Sequence, residues 1–479
     1  MKRLVVFLCA LSILGAWACD SGKNRMEEEM KKTAEIKKAQ DLAVAEKKKL
    51  EGKEDTLAEE KKSVPPVIDA ACGANPEKVK ELVNSGTAVD TKDDKGKTPL
   101  FCATMKGNKE LAEFLISKGA DAGAKKADGE SILFAALKSG NSDIVNMVSE
   151  KNDWKALDNF NRNALMAASF SGNVELMKSA IEKGSDINQL DKYNKNALTF
   201  ALQEKKVDAA KFLLEKGILV DNIDNMKRTP LFYAIETGDV KLVETLISKK
   251  VPVIVEDIIK YKEMVADRKT GQENEVEKER KEKKTAYDID KKNLLMYAAE
   301  GGYTEILKLL VKKGAKLEET EAKILRNPLF FVVALPKGDV EKEKRLAEAA
   351  AYLIEEGKKE ITVERPSPFK KDKENKPLVE KFKIKKIDLE GYDYEGWTPL
   401  TLAAMNGHSE VVKVMLEKGA MVNRKEKKMG NTALIYSRTG KFSEIEQMLK
   451  DAGAKEGVKF DADEDKIKEE AAKAAEPKK

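Results

Sequence analysis

The segment Gly96-Lys97-Thr98-Pro99-Leu100-Phe101-Cys102-Ala103 decides the fold of this chain. Thr98 can cap a helix with its hydroxyl, and Pro99 suits the first helical position, where a backbone N–H has no partner. Apolar residues at helical spacing continue through Leu115, and Gly119 follows where a helix end favours a left-handed residue. The stretch therefore predicts two short helices, which cannot bury their apolar faces without neighbours.

The leucine that follows the cap recurs along the chain, and this repeat supplies the neighbours. Its first four steps measure 33, 32, 33 and 33 residues, and a fixed period near 33 is typical of stacked helix pairs. Such a solenoid grows without one central core, so the length of 479 residues does not require several domains. The repeat leucines are Leu100, Leu133, Leu165, Leu198, Leu231, Leu295, Leu329, Leu400 and Leu434.

The unit resembles the ankyrin repeat, whose Thr-Pro-Leu-His-x-Ala pattern is matched at residues 98–103, 229–234 and 398–403 apart from the histidine. In other repeats Asn replaces the capping Thr, as at Asn163 and Asn293. Mostly Phe or Met stands at the histidine position, so we expect apolar packing where the family has a polar bridge. The resemblance covers roughly residues 64–455. It implies an all-α solenoid of about ten stacked helix pairs with loop fingers and two long inserts.

Breaks in the period give the domain organisation. We predict repeats at 64–253, 291–358 and 395–455, after a signal peptide at 1–18 and a charged helical tether at 19–63, and before a disordered charged tail at 456–479. The insert at 254–290 has apolar residues at steps of 4, 3 and 4 from Ile254 to Val265, which favours two helices. The insert at 359–394 alternates apolar and charged residues, which favours a two-stranded finger.

The first 18 residues have the features of an export signal. Lys2 and Arg3 precede an apolar run, and Ala16-Trp17-Ala18 is a small-x-small cleavage site. Cys19 follows directly, as in a bacterial lipoprotein, so we expect its sulfur to carry a lipid. The alternative is ordinary secretion, with cleavage after Ala18 and a free Cys19. No other stretch is long and apolar enough to predict a transmembrane helix.

The charge balance gives no reason to expect a nucleic-acid partner. The 89 Lys and Arg residues nearly cancel the 84 Asp and Glu residues, and no basic run alternates with aromatic residues. Outside the leader and Cys19, the cysteines are Cys72 and Cys102. Neighbouring helices pack about 10 Å apart, whereas bridged Cα atoms lie within roughly 7 Å. We therefore expect two unpaired thiols.

Residues that would support catalysis are scarce. The only histidine, His408, lies in a Gly-His-Ser-Glu sequence that matches the turn between the helices of an ankyrin repeat, so we expect a structural role. Metalloprotease and Cys–His arrangements need further histidines. We expect no catalytic residue, no cofactor and no metal site, and hence a protein that is not an enzyme.

A stripe of large apolar residues recurs two positions after the repeat leucine, and the ankyrin resemblance places this position on the side of the concave groove. Aromatic residues are enriched at binding hot spots, so the stripe is a candidate partner-binding surface. The alternative is that these side chains pack between neighbouring repeats as core. The candidate residues are Phe200, Tyr233, Tyr297, Phe331, Leu402 and Tyr436.

Taken together, these patterns predict a non-catalytic, monomeric, protein-binding scaffold of the bacterial cell envelope. It would recognise a protein on its concave surface and be held to the membrane by a lipid on Cys19. One alternative is a structural or protective envelope element that makes contacts through its inserts. Another is an exported effector that binds a host protein. The alternative location is secreted or periplasmic and soluble.

Overall fold

The computed structural model describes residues 64–266, 273–321, 325–371 and 377–455. The predicted signal peptide, the lipidation site Cys19, the tether at 19–63 and the tail at 456–479 lie outside the described residues. Among the described residues, no helix combines the length and the apolar character needed to cross a membrane.

The described part of the chain contains twenty helices, which follow one another in pairs. The first helices of the pairs are α1 (Pro66–Cys72), α3 (Pro99–Met105), α5 (Ile132–Ser139), α7 (Ala164–Ser171), α9 (Ala197–Gln203), α11 (Pro230–Thr237), α13 (Leu294–Gly301), α15 (Pro328–Val332), α17 (Pro399–Asn406) and α19 (Ala433–Thr439). The second helices are α2 (Pro76–Asn84), α4 (Lys109–Ser117), α6 (Ser142–Ser149), α8 (Val174–Glu182), α10 (Val207–Glu215), α12 (Val240–Ser248), α14 (Thr304–Lys312), α16 (Val340–Gly357), α18 (Ser409–Glu417) and α20 (Ser443–Asp451). First helices of neighbouring pairs pack on one another, so the chain forms an all-α repeat solenoid.

The helix starts follow the capping chemistry that the sequence predicts. The hydroxyl of Thr98 accepts a hydrogen bond from the N–H of Phe101 at 3.1 Å, and the Asn163 side chain does the same for Met166 at 3.0 Å. Thr229 differs, because its buried hydroxyl has no hydrogen-bond partner among the described residues. Asn163 therefore caps its helix in the same way as Thr98 does.

The core runs along the stack, and two positions of the first helix contribute to it in nearly every repeat. Every repeat leucine is buried, which confirms that the 33-residue period marks the core. The position after it is buried in eight of the nine repeats, the exception being Ile435, and it is apolar in most of them, so apolar packing mostly stands where the family has histidine. The buried residues at that position include Phe101, Phe134, Met166, Phe232, Met296 and Phe330.

The first insert is a β-ribbon, and the prediction of two helices is wrong. Strands β1 (Ile254–Ala266) and β2 (Glu273–Thr285) pair antiparallel, from Ile254 opposite Thr285 to Ala266 opposite Glu273. The segment is rich in β-branched residues, which favour strands. Its charges also suit cross-strand pairing, since Glu256 stands opposite Lys283 in the register.

The second insert also contains two strands, and α16 leads into it. Strands β3 (Glu360–Lys371) and β4 (Pro377–Lys385) pair antiparallel, with an irregularity in the register between Pro366 and Lys371. Within the described residues, extended strands are thus confined to two ribbons that interrupt the helical stack.

Cys72 and Cys102 form a disulfide, so the expectation of two unpaired thiols is wrong. The spacing of about 10 Å that guided that expectation is a distance between helix axes. Cys72 ends α1, close against the middle of α3, and the two Cα atoms are 4.9 Å apart. The disulfide therefore joins the first helix pair covalently to the second.

Candidate interaction surface

The fingers between helix pairs are tight turns held by a recurring aspartate. Asp224 Oδ1 accepts hydrogen bonds from the N–H groups of Met226 and Arg228, at 2.8 and 2.9 Å. The same two bonds, to the residues two and four positions on, recur in other fingers. Sequence reasoning missed these residues, although each precedes its repeat leucine by seven positions. The aspartates with this pattern are Asp93, Asp158, Asp191, Asp224 and Asp288.

Backbone hydrogen bonds join each finger to the next. The N–H of Lys192 donates to the carbonyl of Phe160 at 2.9 Å, and the N–H of Asn225 donates to the carbonyl of Tyr193 at 3.3 Å. In the next step the N–H of Ile289 donates to the carbonyl of Met226 at 2.8 Å. This last bond spans the first ribbon, so the insert leaves the row of fingers continuous.

We call residues 159–162, 192–195, 225–228 and 289–292 the central fingertips. Their exposed apolar side chains are Tyr193, Met226 and Ile289, which are 48%, 39% and 51% exposed. The ring of Phe160 stacks on Tyr193, with centroids 6.3 Å apart. Apolar groups of this size on neighbouring turns form a contiguous exposed patch, which is typical of an interaction site.

The stripe predicted to line the groove is largely buried instead. Tyr233, Tyr297 and Leu402 are only 2%, 8% and 3% exposed, so their side chains belong to the core between repeats and not to an open surface. Phe200, Phe331 and Tyr436 are half-buried. The alternative that these residues pack between neighbouring repeats accounts for the three buried side chains.

The two buried tyrosines connect the fingers to the first helices. The hydroxyl of Tyr233 donates to Asp224 Oδ2, and the hydroxyl of Tyr297 donates to Asp288 Oδ2 at 2.7 Å. Burial raises the pKa of both tyrosines, and the hydrogen bonds to carboxylates raise it further. Each ring is therefore a neutral hydrogen-bond donor that fixes the aspartate of its own finger.

Charged side chains lie over these rings at the foot of the fingers. The guanidinium of Arg228 is 4.7 Å from the centroid of the Tyr233 ring, and Lys292 Nζ is 4.2 Å from that of Tyr297. Lys292 also pairs with Glu300 at 2.6 Å. Burial raises the pKa of the neighbouring Glu236, although Arg228 and Lys292 oppose that shift. The surface below the central fingertips is thus polar and charged.

His408 is buried and makes structural contacts. Its Nδ1 lies 2.9 Å from Glu343 Oε1, and its Nε2 lies 2.6 Å from the carbonyl oxygen of Leu335. Among the described residues, no cluster of histidine, cysteine and carboxylate side chains is arranged to hold a metal ion. These contacts agree with the structural role that its sequence context predicts.

Comparison with protein-family models adds a finding that is independent of the geometry. A model described as ankyrin repeats (three copies) matches residues 67–159, 147–224, 165–257 and 371–459, which together exceed half of the chain. A model described as ankyrin repeat matches residues 290–321. No curated protein matches the chain.

Proposed function

The chain belongs to the ankyrin-repeat family, and from this premise we propose that it is a monomeric, non-catalytic scaffold that binds a protein partner. Repeat solenoids present a preformed surface, so little conformational entropy is lost when a partner binds. We also propose that the solenoid contains about ten repeats.

The observation that carries this proposal is the unbroken row of central fingertips. The hydrogen bond from Ile289 N–H to the Met226 carbonyl keeps the row continuous past an insert of more than 30 residues. Tyr193, Met226 and Ile289 expose apolar side chains along this row. The proposed binding surface therefore shifts from the buried tyrosines to the fingertips.

The proposed location is the bacterial cell envelope, with the protein exported and anchored by a lipid on Cys19. The export-type leader supports this location, and so does the disulfide between Cys72 and Cys102, because disulfides persist mainly in oxidising compartments. Replacing Cys19 by Ser should move the protein from the detergent phase to the aqueous phase. A wild-type protein that already partitions into the aqueous phase would contradict lipidation and leave simple export.

Photo-crosslinking in intact cells tests the binding proposal. A photoreactive residue at Tyr193 should capture a defined protein, whereas one at Glu244, exposed on the second helix α12, should capture much less of it. Equal capture from both positions, or capture of nothing from either, would contradict a binding surface at the fingertips.

A further inference from the structure

The spacing of the central fingertips restricts the kind of segment that can lie along them. Neighbouring helix pairs stack about 8–10 Å apart, so successive fingertips are separated by a similar distance. Seven residues of an α-helix advance about 10.5 Å and return within about 20° to the same face. Three residues of an extended strand also cover about 10 Å, but they end on the opposite face. A helix with an apolar residue at every seventh position can therefore place one apolar side chain against each finger.

The apolar side chains of the fingers meet this requirement. The stacked rings of Phe160 and Tyr193 lie on the first two fingers. Met226 lies on the third finger and Ile289 on the fourth. Met226 and Ile289 are flexible or aliphatic and offer no ring on which a base could stack. The row therefore suits apolar side chains of a protein better than nucleobases.

The central fingertips also carry a surplus of positive charge. Their 16 positions read Asn-Phe-Asn-Arg, Lys-Tyr-Asn-Lys, Asn-Met-Lys-Arg and Ile-Asp-Lys-Lys, with seven cations and one acidic residue. The aspartates that precede these turns are buried, and their carboxylates bond to the backbone, to tyrosine or, at Asp158, to Arg162 of the same finger. By contrast, the preceding fingers at 94–97 and 127–130 have mixed charges, Asp-Lys-Gly-Lys and Ala-Asp-Gly-Glu.

Two of the seven cations, Lys192 and Lys227, form neither an ion pair nor a ring contact with any described residue. Lys195 also forms no ion pair with a described residue, but its Nζ lies 5.9 Å from the centroid of the Tyr233 ring. By contrast, Arg162 pairs with Asp158 at 2.5 Å and Lys292 with Glu300 at 2.6 Å. Lys192 and Lys227 are exposed beside Tyr193 and Met226. A partner with carboxylates next to its apolar residues would supply the missing negative charges.

We infer that the partner segment is an acidic amphipathic helix, with an apolar residue at every seventh position, that lies across the four central fingertips. This inference rests on the proposed protein-binding function and specifies the chemistry of the partner. The apolar side chains of the helix contact Phe160, Tyr193, Met226 and Ile289. Carboxylates on either side of that seam contact Lys192, Lys195 and Lys227.

Synthetic peptides of about 22 residues test the inference against the full-length protein by fluorescence anisotropy. The probe carries leucine at four heptad positions and glutamate on both sides of them. One control peptide has the same composition with the leucines moved off the heptad, and a second has glutamine in place of glutamate. Only the probe should bind well, and its affinity should fall as the salt concentration rises.

Paired variants locate the binding site. Lys192→Glu combined with Lys227→Glu should weaken probe binding by about tenfold or more, because like charges would then face each other. Lys95→Glu, an exposed fingertip change outside the central row, should alter affinity less than about twofold. Circular dichroism and Tm should be unchanged in both variants, because the changed side chains are exposed.

Several results would overturn the inference. Equal binding of the permuted peptide would exclude the heptad match, and absence of probe binding would exclude the helix. Tight, salt-sensitive binding of single-stranded oligothymidylate in place of the probe would assign the cations to phosphate. The crosslinking experiment separates the two proposals. A protein captured from Tyr193 with undiminished yield in the Lys192→Glu/Lys227→Glu variant would leave the scaffold function standing and refute the acidic helix.

Discussion

His408 Nδ1 lies 2.9 Å from Glu343 Oε1, and this contact ties the turn between α17 and α18 to the first turn of α16 in the preceding repeat. Both side chains are almost fully buried, 1% and 3% exposed. The other ring nitrogen faces the Leu335 carbonyl, so the imidazole also holds the link between α15 and α16. Both ring nitrogens of His408 face oxygen atoms. When Nε2 donates its proton to the Leu335 carbonyl, the contact between Nδ1 and Glu343 is a hydrogen bond only if a second proton lies on one of those two groups.

Replacing His408 by Ala should therefore lower the free energy of unfolding by about 3–5 kcal/mol, because Glu343 would stay buried with only the Gly338 N–H, at 3.4 Å, to bond it. Urea unfolding of the variant provides the measurement. Lys413→Ala, an exposed change on α18, is the matched control and should stay within about 0.5 kcal/mol of the wild type. Similar small effects of both changes would show that the contact does not hold the repeats together.

Leu231 and Lys283 should differ sharply in their effect on stability. Leu231 is fully buried, so Leu231→Ala should cost roughly 2–5 kcal/mol. Lys283 is exposed on β2, and Lys283→Ala should cost little. Denaturant titration of both variants checks this difference. Equal losses would mean that the first ribbon contributes to the core as much as a repeat does.

Tyr297 should behave as a core residue and not as a residue that contacts the partner protein. Tyr297→Phe removes the hydroxyl that donates to the buried Asp288 and should cost roughly 1–3 kcal/mol. The matched control is Tyr394→Phe, since Tyr394 is 76% exposed. Tm and partner capture should be measured on the same samples. A normal Tm with lost capture would return Tyr297 to the binding surface.

The disulfide between Cys72 and Cys102 should stabilise the first two helix pairs. In the chain-entropy description, removing a cross-link that closes a loop of 30 residues costs about 3–4 kcal/mol. The double variant Cys72→Ala/Cys102→Ala should therefore unfold at lower urea concentration than the oxidised wild type. Alkylation of the unfolded, unreduced wild type, followed by mass spectrometry, should leave both cysteines unlabelled. Labelling of both would contradict the bond.

Glu236→Gln should stabilise the protein at neutral pH. Burial raises the pKa of Glu236, so ionising this carboxyl costs more in the folded chain than in the unfolded chain. The neutral amide avoids that cost above the folded pKa, and the gain should disappear as the pH falls below the ordinary value of 4.5. Tm at about pH 7 and about pH 4 gives the measurement. A gain of equal size at both values would point to a packing effect.

The sequence predicted the parts of this fold that depend on one repeat at a time. Leu100 and its successors mark the core because burial of an apolar residue at fixed helical spacing is a local pattern. The cap at Asn163 follows for the same reason, since the hydrogen bond reaches only three residues ahead. These features need no knowledge of how neighbouring repeats are rotated.

Features that depend on contacts between repeats were not predictable in this way. The position of Tyr297 could face either a groove or a neighbouring repeat, and its edge contact with the Phe232 ring of the preceding repeat, with centroids 5.5 Å apart, decides between them. Steps of 4, 3 and 4 from Ile254 suited a helix, but its pairing partner Thr285 lies beyond the window in which periodicity is read. The fingertips could not be identified from the repeat pattern because their side chains differ from finger to finger, whereas the aspartate beneath them recurs.

The position of the first ribbon has a consequence for engineering. Ile254 and Thr285 stand opposite each other at its base, so the chain leaves the stack and returns to it at nearly the same point. The hydrogen bond from the Ile289 N–H to the Met226 carbonyl then joins the two fingers on either side of the ribbon. A connection with adjacent ends is a natural graft point, because added length costs only slowly growing loop entropy. A fluorescent reporter or a second domain placed between residues 266 and 273 should therefore be carried without disturbing the solenoid.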